Sequence, residues 1–280
     1  MSPTLPIDGF AVPRFLYGTA WKEDDTRRLT ALAIHQGFRG IDTANQRKHY
    51  YEAAVGEAIA AAIADRVVAR RDLFLQTKFT FRDGQDHRLP YDPKASIAKQ
   101  VEQSFERSLA HLQTNDIDSF VLHGPSQSDG LGGDDWAAWT AMEALHASQK
   151  VRWLGVSNVS VEQLRLLCDK VRVRPRFVQN RCYASRGWDR RVREFCKAND
   201  IVYQGFSLLT ANRAVLASAE LKRIAQRHGR TPAQIVFRFA LDVGMMPLTG
   251  TTSAEHMRAD LETFEFQLST EEVARIEAVS

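Results

Sequence analysis

Four side chains able to move protons close short apolar runs or follow them within a few residues. Asp42 and Tyr50 lie in RGIDTANQRKHYYE, Lys78 in LFLQTKF and His123 in IDSFVLHGP. A carboxylate, a phenol, an ammonium and an imidazole gathered in one place would protonate or deprotonate an oxygen. Asp42 ends an apolar run, so it needs a partner once buried, and Lys78 is the natural one. Such a pair beside a tyrosine favours the phenolate and is expected to lower the Tyr50 pKa from about 10. His123, followed by Gly124 and Pro125, stands where it could hydrogen-bond a carbonyl oxygen. The plainer alternatives are a purely structural Asp42–Lys78 pair and a satisfied core histidine. No metal is expected, because the histidines show no HxH or HExxH spacing. A serine hydrolase would need a GxSxG elbow, which is missing.

The elements that must gather these groups alternate along the whole chain. Strand candidates are FLYGTA (15–20), FRGIDTA (38–44), LFLQTKF (73–79), IDSFVLH (117–123), VRWLGVSN (151–158), FVQNRCY (177–183), IVYQGFS (201–207) and MMPLTG (245–250). Helical spacing fills the gaps: SIAKQVEQSFERSLAHL puts Ile97, Val101, Phe105 and Leu109 on one stripe, and Ser160 is placed to cap VEQLRLLCDKV. Eight strands, seven crossovers and a closing helix predict a (β/α)8 TIM barrel over residues 1–280 as one domain, with strand C-terminal ends sharing one face. A doubly wound open sheet is the runner-up, but its GxGxxG turn is missing. PIDGFAVP reads as an N-terminal hairpin cap at the barrel bottom. LSTEEVARIEAV reads as a C-terminal accessory helix capped by Ser269. The segment 80–95 reads as a substrate lid.

The remaining strand ends are polar and small. Ser157, Asn158 and Gln179 could hold a carboxamide, Phe206 could stack on a flat ring, and Thr249, Gly250, Thr251, Thr252 and Ser253 lead into a helix whose N-terminus could take a phosphate. In barrel order, this set suits a nicotinamide dinucleotide.

A net charge of +3 is too weak to imply nucleic acid. The arginine-rich stretches 66–72 and 185–193 read as solvated helix faces. Three cysteines without CxxC spacing point to a reducing compartment, and no apolar run approaches membrane-spanning length. With no signal peptide evident at the N-terminus, a cytoplasmic protein is expected, a monomer or weak homo-oligomer with a small-molecule partner.

YGTAW (17–21), GFRGIDTA (37–44), HYYEAAVGEAI (49–59), TKF (77–79), VLHGP (121–125), GVSN (155–158), VQN (178–180) and FSLL (206–209) together resemble the aldo-keto reductases over nearly the whole chain. The resemblance implies an NAD(P)H-dependent reductase of aldehyde or ketone carbonyls, with Asp42, Tyr50, Lys78 and His123 as its tetrad. It implies cofactor contacts at Gly18, Thr19, Asp42, Ser157, Asn158, Gln179, Phe206, Ser207 and Leu208, and at Thr249 to Ser253 with His256. Two departures stand out. NQRKHYYE is about two residues longer than the family's usual step, so Tyr50, Tyr51 and His49 compete for one position; Tyr50 is favoured, since Tyr51 suits the helix start. The family's KSxxxxR element for the 2′-phosphate is missing, with Gly250, Thr251 and His256 at its positions and Arg258 nearby. NADPH is therefore expected by a reduced margin, with NADH the alternative. A slow or non-catalytic nucleotide-sensing subunit on the same barrel is the rival reading.

Overall fold

Strands with an apolar inner face, each followed by an amphipathic helix, can bury that face by closing on themselves. The computed structural model describes residues 1–279; Ser280, the last residue of the expected domain, lies outside them. A two-stranded antiparallel hairpin, β1 (Thr4–Ile7) and β2 (Phe10–Pro13), comes first. The barrel strands are β3 (Leu16–Gly18), β4 (Gly40–Asp42), β5 (Phe74–Phe79), β6 (Ile117–Leu122), β7 (Val151–Ser157), β8 (Phe177–Arg181), β9 (Val202–Phe206) and β10 (Met246–Thr249). They are all parallel and close in the order β10-β3-β4-β5-β6-β7-β8-β9. This is the expected (β/α)8 barrel, with strands shorter than their sequence runs.

Inside the barrel, side chains recur every second residue, and three strands step through the same sequence of chemistries. Phe74, Gln76 and Lys78 climb β5; Phe177, Gln179 and Arg181 climb β8; Val202, Gln204 and Phe206 climb β9. The lowest layer joins Leu16, Phe74, Trp153, Phe177, Met246 and Leu248 with Ile7 and Val12 of the hairpin. Trp153 Nε1 donates to Asp8 at 2.7 Å and its ring meets Phe10 edge-on at 5.7 Å, so the hairpin plugs the barrel bottom. Above it lies a layer of glutamines, and above that the mouth.

The helices are α1 (Thr26–His35), α2 (Glu52–Ala64), α3 (Ile97–Leu112), α4 (Gly133–Ala147), α5 (Val161–Lys170), α6 (Arg190–Ala198), α7 (Arg213–Ala217), α8 (Ala219–His228), α9 (Pro232–Asp242), α10 (Ala254–Leu261) and α11 (Thr270–Ala278). Ser96 caps α3, and Ser160 and Ser269 form capping boxes on α5 and α11. The connection before β10 holds three helices where one crossover was expected. Gly229, at φ +61°, stops α8, and Thr231 with Pro232 restarts the chain as α9.

Three expectations are corrected. The stretch 66–72 is not a solvated helix face: Arg70 is pinned between Asp116 (3.1 Å) and Asp118 (3.0 Å). In 185–193, Trp188 and Arg193 are buried, with Arg193 donating to the Trp188 carbonyl at 2.8 Å and pairing with Glu277. The segment 80–95 is no free lid. Gln85 and Tyr91 are buried and both donate to the Thr80 carbonyl, and Gln85 also donates to the Asn45 carbonyl at 2.9 Å. Cys168, Cys182 and Cys196 are buried free thiols; burial pushes Cys168 up to about 11 and Cys182 up to about 12, and raises Cys196 as well.

Helices α2 and α3 touch through Gly56. A Cβ there would lie 1.9 Å from the His111 carbonyl oxygen and 2.7 Å from Leu112 Cα, both backbone atoms. Gly56→Ala should therefore destabilise the protein by about 2–3 kcal/mol, because overpacking against backbone outweighs the ~1 kcal/mol gain in helix propensity. Urea unfolding checks this; a variant as stable as the parent would mean that the two helices can separate freely.

Candidate active site

Asp42 is the last residue of β4 and sits in register with Gln76 of β5 and Gly18 of β3. Two residues beyond Gln76, Lys78 points the same way and reaches Asp42. Lys78 Nζ donates to Asp42 Oδ1 (2.7 Å), Asp42 Oδ2 (2.8 Å) and the Thr43 carbonyl (2.8 Å). An ammonium has three protons, so Lys78 is fully committed. Asp42 Oδ1 also accepts from Gln76 at 2.7 Å and Gln179 at 3.0 Å, and both amides donate to Gln204 Oε1. The pair is thus neutralised and saturated in a water-poor layer; Lys78 is fully buried and Asp42 nearly so. Burial holds the Lys78 ammonium below its ordinary range, with Asp42 and Glu52 pulling it back.

Tyr50 leaves the sheet on the β4–α2 connection and returns over Lys78, whose Nζ lies 5.2 Å from the ring centroid. Its ring meets His123 edge-on at 6.0 Å. The expected lowering of its pKa is not what this packing produces. Burial pushes the phenol well above 10, and the Asp42 carboxylate adds to the rise. Tyr50 therefore stays protonated, the state an acid requires. Among its rivals, Tyr51 opens α2 with Arg47 stacked 4.1 Å from its ring centroid and lies off the cavity. His49 lines the cavity but bonds Gln46 and stacks on Trp21 at 4.0 Å.

His123 follows β6, its N–H donating to the Phe79 carbonyl at 2.9 Å. Thr80 Oγ1 lies 2.6 Å from His123 Nδ1. Burial, then Lys78 and His49, depress the ring to about 3. The imidazole is neutral at pH 7, so one nitrogen donates and the other accepts.

These groups form the floor of a cavity of about 1330 Å³ at the C-terminal ends of the strands. Asp42, Tyr50, His123, Gly18, Ser157, Asn158, Gln179, Phe206, Ser207, Leu208, Thr249, Gly250, Thr251, Thr252 and His256 line it. Lys78 lies beneath the wall. Thr19 is buried behind it, its hydroxyl on the Asp42 carbonyl, and Ser253 is spent capping α10. Arg258 also stands outside, donating to Gln36 on α1 at 3.1 Å. Asn158 adopts φ +55°, which an asparagine tolerates, and its amide clamps the His123 carbonyl (2.8 Å) and Ser157 Oγ (3.1 Å).

Sequence reasoning missed several lining residues: Trp21, Lys22, Thr80, Glu255 and Asp260. Lys22 Nζ donates to the Gly250 carbonyl at 2.5 Å, and burial lowers it to about 8. It directly follows YGTAW, and that adjacency was the available signal. Thr80, two residues past Lys78, offered a signal only once β5 was known to point that face inward.

The fit to a nicotinamide dinucleotide can be tested on donor chemistry. Gln179 Oε1 accepts no hydrogen bond among the described residues, which leaves it for a carboxamide N–H. Phe206 offers a half-buried ring to the same cavity, and Lys22 is a cation in its wall. The residues fit.

The aldo/keto reductase family model matches residues 16–280. Human aldo-keto reductase family 1 member C1 is 30% identical, covering 98% of this chain and 90% of that protein. The prostaglandin-E(2) 9-reductase of Oryctolagus cuniculus is 29% identical over 98% of this chain and 90% of its own. The NAD(P)H-dependent 6′-deoxychalcone synthase of Glycine max is 29% identical over 91% and 82%. An aldo/keto reductase structure from Brucella melitensis superposes with a TM-score of 0.84 at 24% identity, covering all of both chains, which speaks to the fold.

Acid should expose the cost of the neutral imidazole. His123 is depressed to about 3 in the folded chain against 6.5 in an exposed one. Between those values the unfolded chain binds the extra proton, so stability is intact above pH 6.5 and falls as pH drops toward 3. The ring lines an open cavity, so about 1–2 kcal/mol of loss at pH 4.5 is expected. Urea unfolding at pH 7 and 4.5 reads it, with His123→Gln as comparison; equal losses in both proteins would place the acid sensitivity elsewhere.

Proposed function

The chain belongs to the aldo/keto reductase family, and from that premise we propose that it reduces an aldehyde or ketone carbonyl to the alcohol, with Tyr50 as proton donor. The observation that carries the proposal is the convergence of Tyr50 and His123 above the buried Lys78–Asp42 pair, on the wall of a cavity whose volume of about 1330 Å³ has room for a dinucleotide. Carbonyl reduction is chemistry at the level of the family; the residue roles are the proposal.

A reduced nicotinamide would supply the hydride. Gln179 and Asn158 would orient its carboxamide and Phe206 would back the ring. The carbonyl oxygen would lie between the Tyr50 hydroxyl and the His123 ring. As that oxygen gains charge, a neutral His123 stabilises it by hydrogen bonding without competing as an acid. The Thr80 hydroxyl has no other recorded partner among the described residues, so it can donate to Nδ1. That fixes the tautomer with the proton on Nε2, free to point at substrate. Tyr50 gives up its proton as the oxygen becomes an alkoxide, and the nearby Lys78 ammonium favours the phenolate left behind. Lys78 has no spare proton, so it acts on Tyr50 through its field.

The Trp21 indole, 70% exposed, stacks with the His49 ring, and both line the cavity together with Phe81. A lining of this kind favours substrates with an apolar or flat body.

Tyr50→Phe should lower kcat for aldehyde reduction by about 10²–10⁴-fold while dinucleotide binding persists. NADPH and NADH oxidation at 340 nm across an aldehyde and ketone panel is the assay. Full activity in Tyr50→Phe, with loss in Tyr51→Phe, would move the acid to the neighbouring residue.

Thr80→Val keeps the shape and removes the hydroxyl. It should reduce kcat/KM about tenfold, the worth of one well-placed hydrogen bond of ~1.4 kcal/mol, with the dinucleotide dissociation constant unchanged. If turnover is untouched, the His123 tautomer is set by something other than Thr80.

A further inference from the structure

The cavity wall includes the apolar residues Leu208, Ala233, Phe237 and Ala259, which could flank a planar base. It also includes two acids on α10. Asp260 is only 4% exposed, lines the cavity and has no ion-pair partner among the described residues. Glu255, in the first turn of the same helix, is exposed along the cavity edge and also has no ion-pair partner there.

Of the cations near α10, Arg258 is turned away to Gln36, and Lys22 is engaged at the Gly250 carbonyl. His256 is an exposed imidazole, without the permanent charge and five-donor fork of a guanidinium. The hydroxyls of Thr251 and Ser253 each accept from a backbone N–H within the turn, so toward a phosphate they could offer only neutral O–H donors.

A dianionic phosphate needs cationic or well-aligned N–H donors, whereas a ribose diol needs an acceptor. On the reading that the cavity holds a nicotinamide dinucleotide, we infer that this chain selects NADH over NADPH, Glu255 accepting from the adenosine ribose hydroxyls and repelling a 2′-phosphate. This reverses the preference expected from the hydroxyl-rich turn alone. That expectation counted donors and lent Arg258 to the site; it took no account of the two carboxyls that α10 sets along the cavity.

Asp260 supports the same assignment. Burial pushes its carboxyl up to about 7, with the Thr249 hydroxyl drawing it back. A carboxyl near that balance can present one O–H and one acceptor side by side. The adenine edge presents the complement, an amino donor beside a ring nitrogen acceptor.

Fluorescence titration of the full-length protein with NADH and NADPH tests the inference, alongside calorimetry with AMP and with adenosine 2′,5′-bisphosphate, which need no turnover. NADH and AMP should bind about tenfold more tightly than their 2′-phosphorylated counterparts, the effect of one like-charge contact near a protein surface. Glu255→Lys, at an exposed site, should invert the order, and Glu255→Gln should bring the two constants together. Equal binding, or tighter binding of the phosphorylated pair by the parent, overturns the inference and leaves carbonyl reduction standing. No binding of either dinucleotide overturns both.

Discussion

The carboxylate of Asp42 is the group on which the rest depends. It lies within a barrel whose lower layer is wholly apolar, where an unpaired charge would cost several kcal/mol. Two bonds from Lys78 and one each from Gln76 and Gln179 offset that cost. Each partner is held in turn. Lys78 is tied to the Thr43 carbonyl, and Gln76 and Gln179 are tied to Gln204. Losing Asp42 would strand a buried ammonium and leave two amides short of an acceptor. The polar layer is thus one unit, and the mouth is built on top of it.

The strand register makes this possible. Neighbouring parallel strands offset their side chains so that Gln76 lies beside Asp42, and Gln179 beside both Ser157 and Gln204. With a two-residue period, β5, β8 and β9 each offer one group to the apolar floor, one to the amide layer and one to the mouth. Stability and chemistry are thereby separated by height in the barrel. The amides mediate between them, because they hydrogen-bond in both directions without carrying charge.

Much of this was legible in the chain. The eight strand runs and the order of their polar ends implied a barrel, and TKF with GIDTA implied the ionic pair, because both depend on local pattern. What was not legible depends on how distant segments meet. Arg70 and Arg193 looked solvated because their partners, Asp118 and Glu277, lie 48 and 84 residues away in the chain. The segment 80–95 looked free because nothing local announces that Tyr91 folds back onto the Thr80 carbonyl. The Tyr50 environment was misjudged in sign: its neighbours could be named from sequence, but not the depth of its burial, which is the dominant cause. Thr80 was overlooked for a similar reason, since its role rests on one 2.6 Å contact with the next strand's histidine.

The three cysteines carry a consequence of a different kind. Their thiols are buried and pushed above their ordinary range, so almost no thiolate is present at neutral pH, and the thiolate is the reactive form. In the folded chain they are therefore chemically silent toward alkylating reagents and disulfide exchange. Cys168 lies on α5, Cys182 follows β8 and Cys196 lies on α6, one contiguous sector of the wall. Each would become reactive only when that sector opens to solvent. Alkylation rate would thus act as a built-in clock for the breathing of one quarter of the barrel, separate from whatever happens at its mouth.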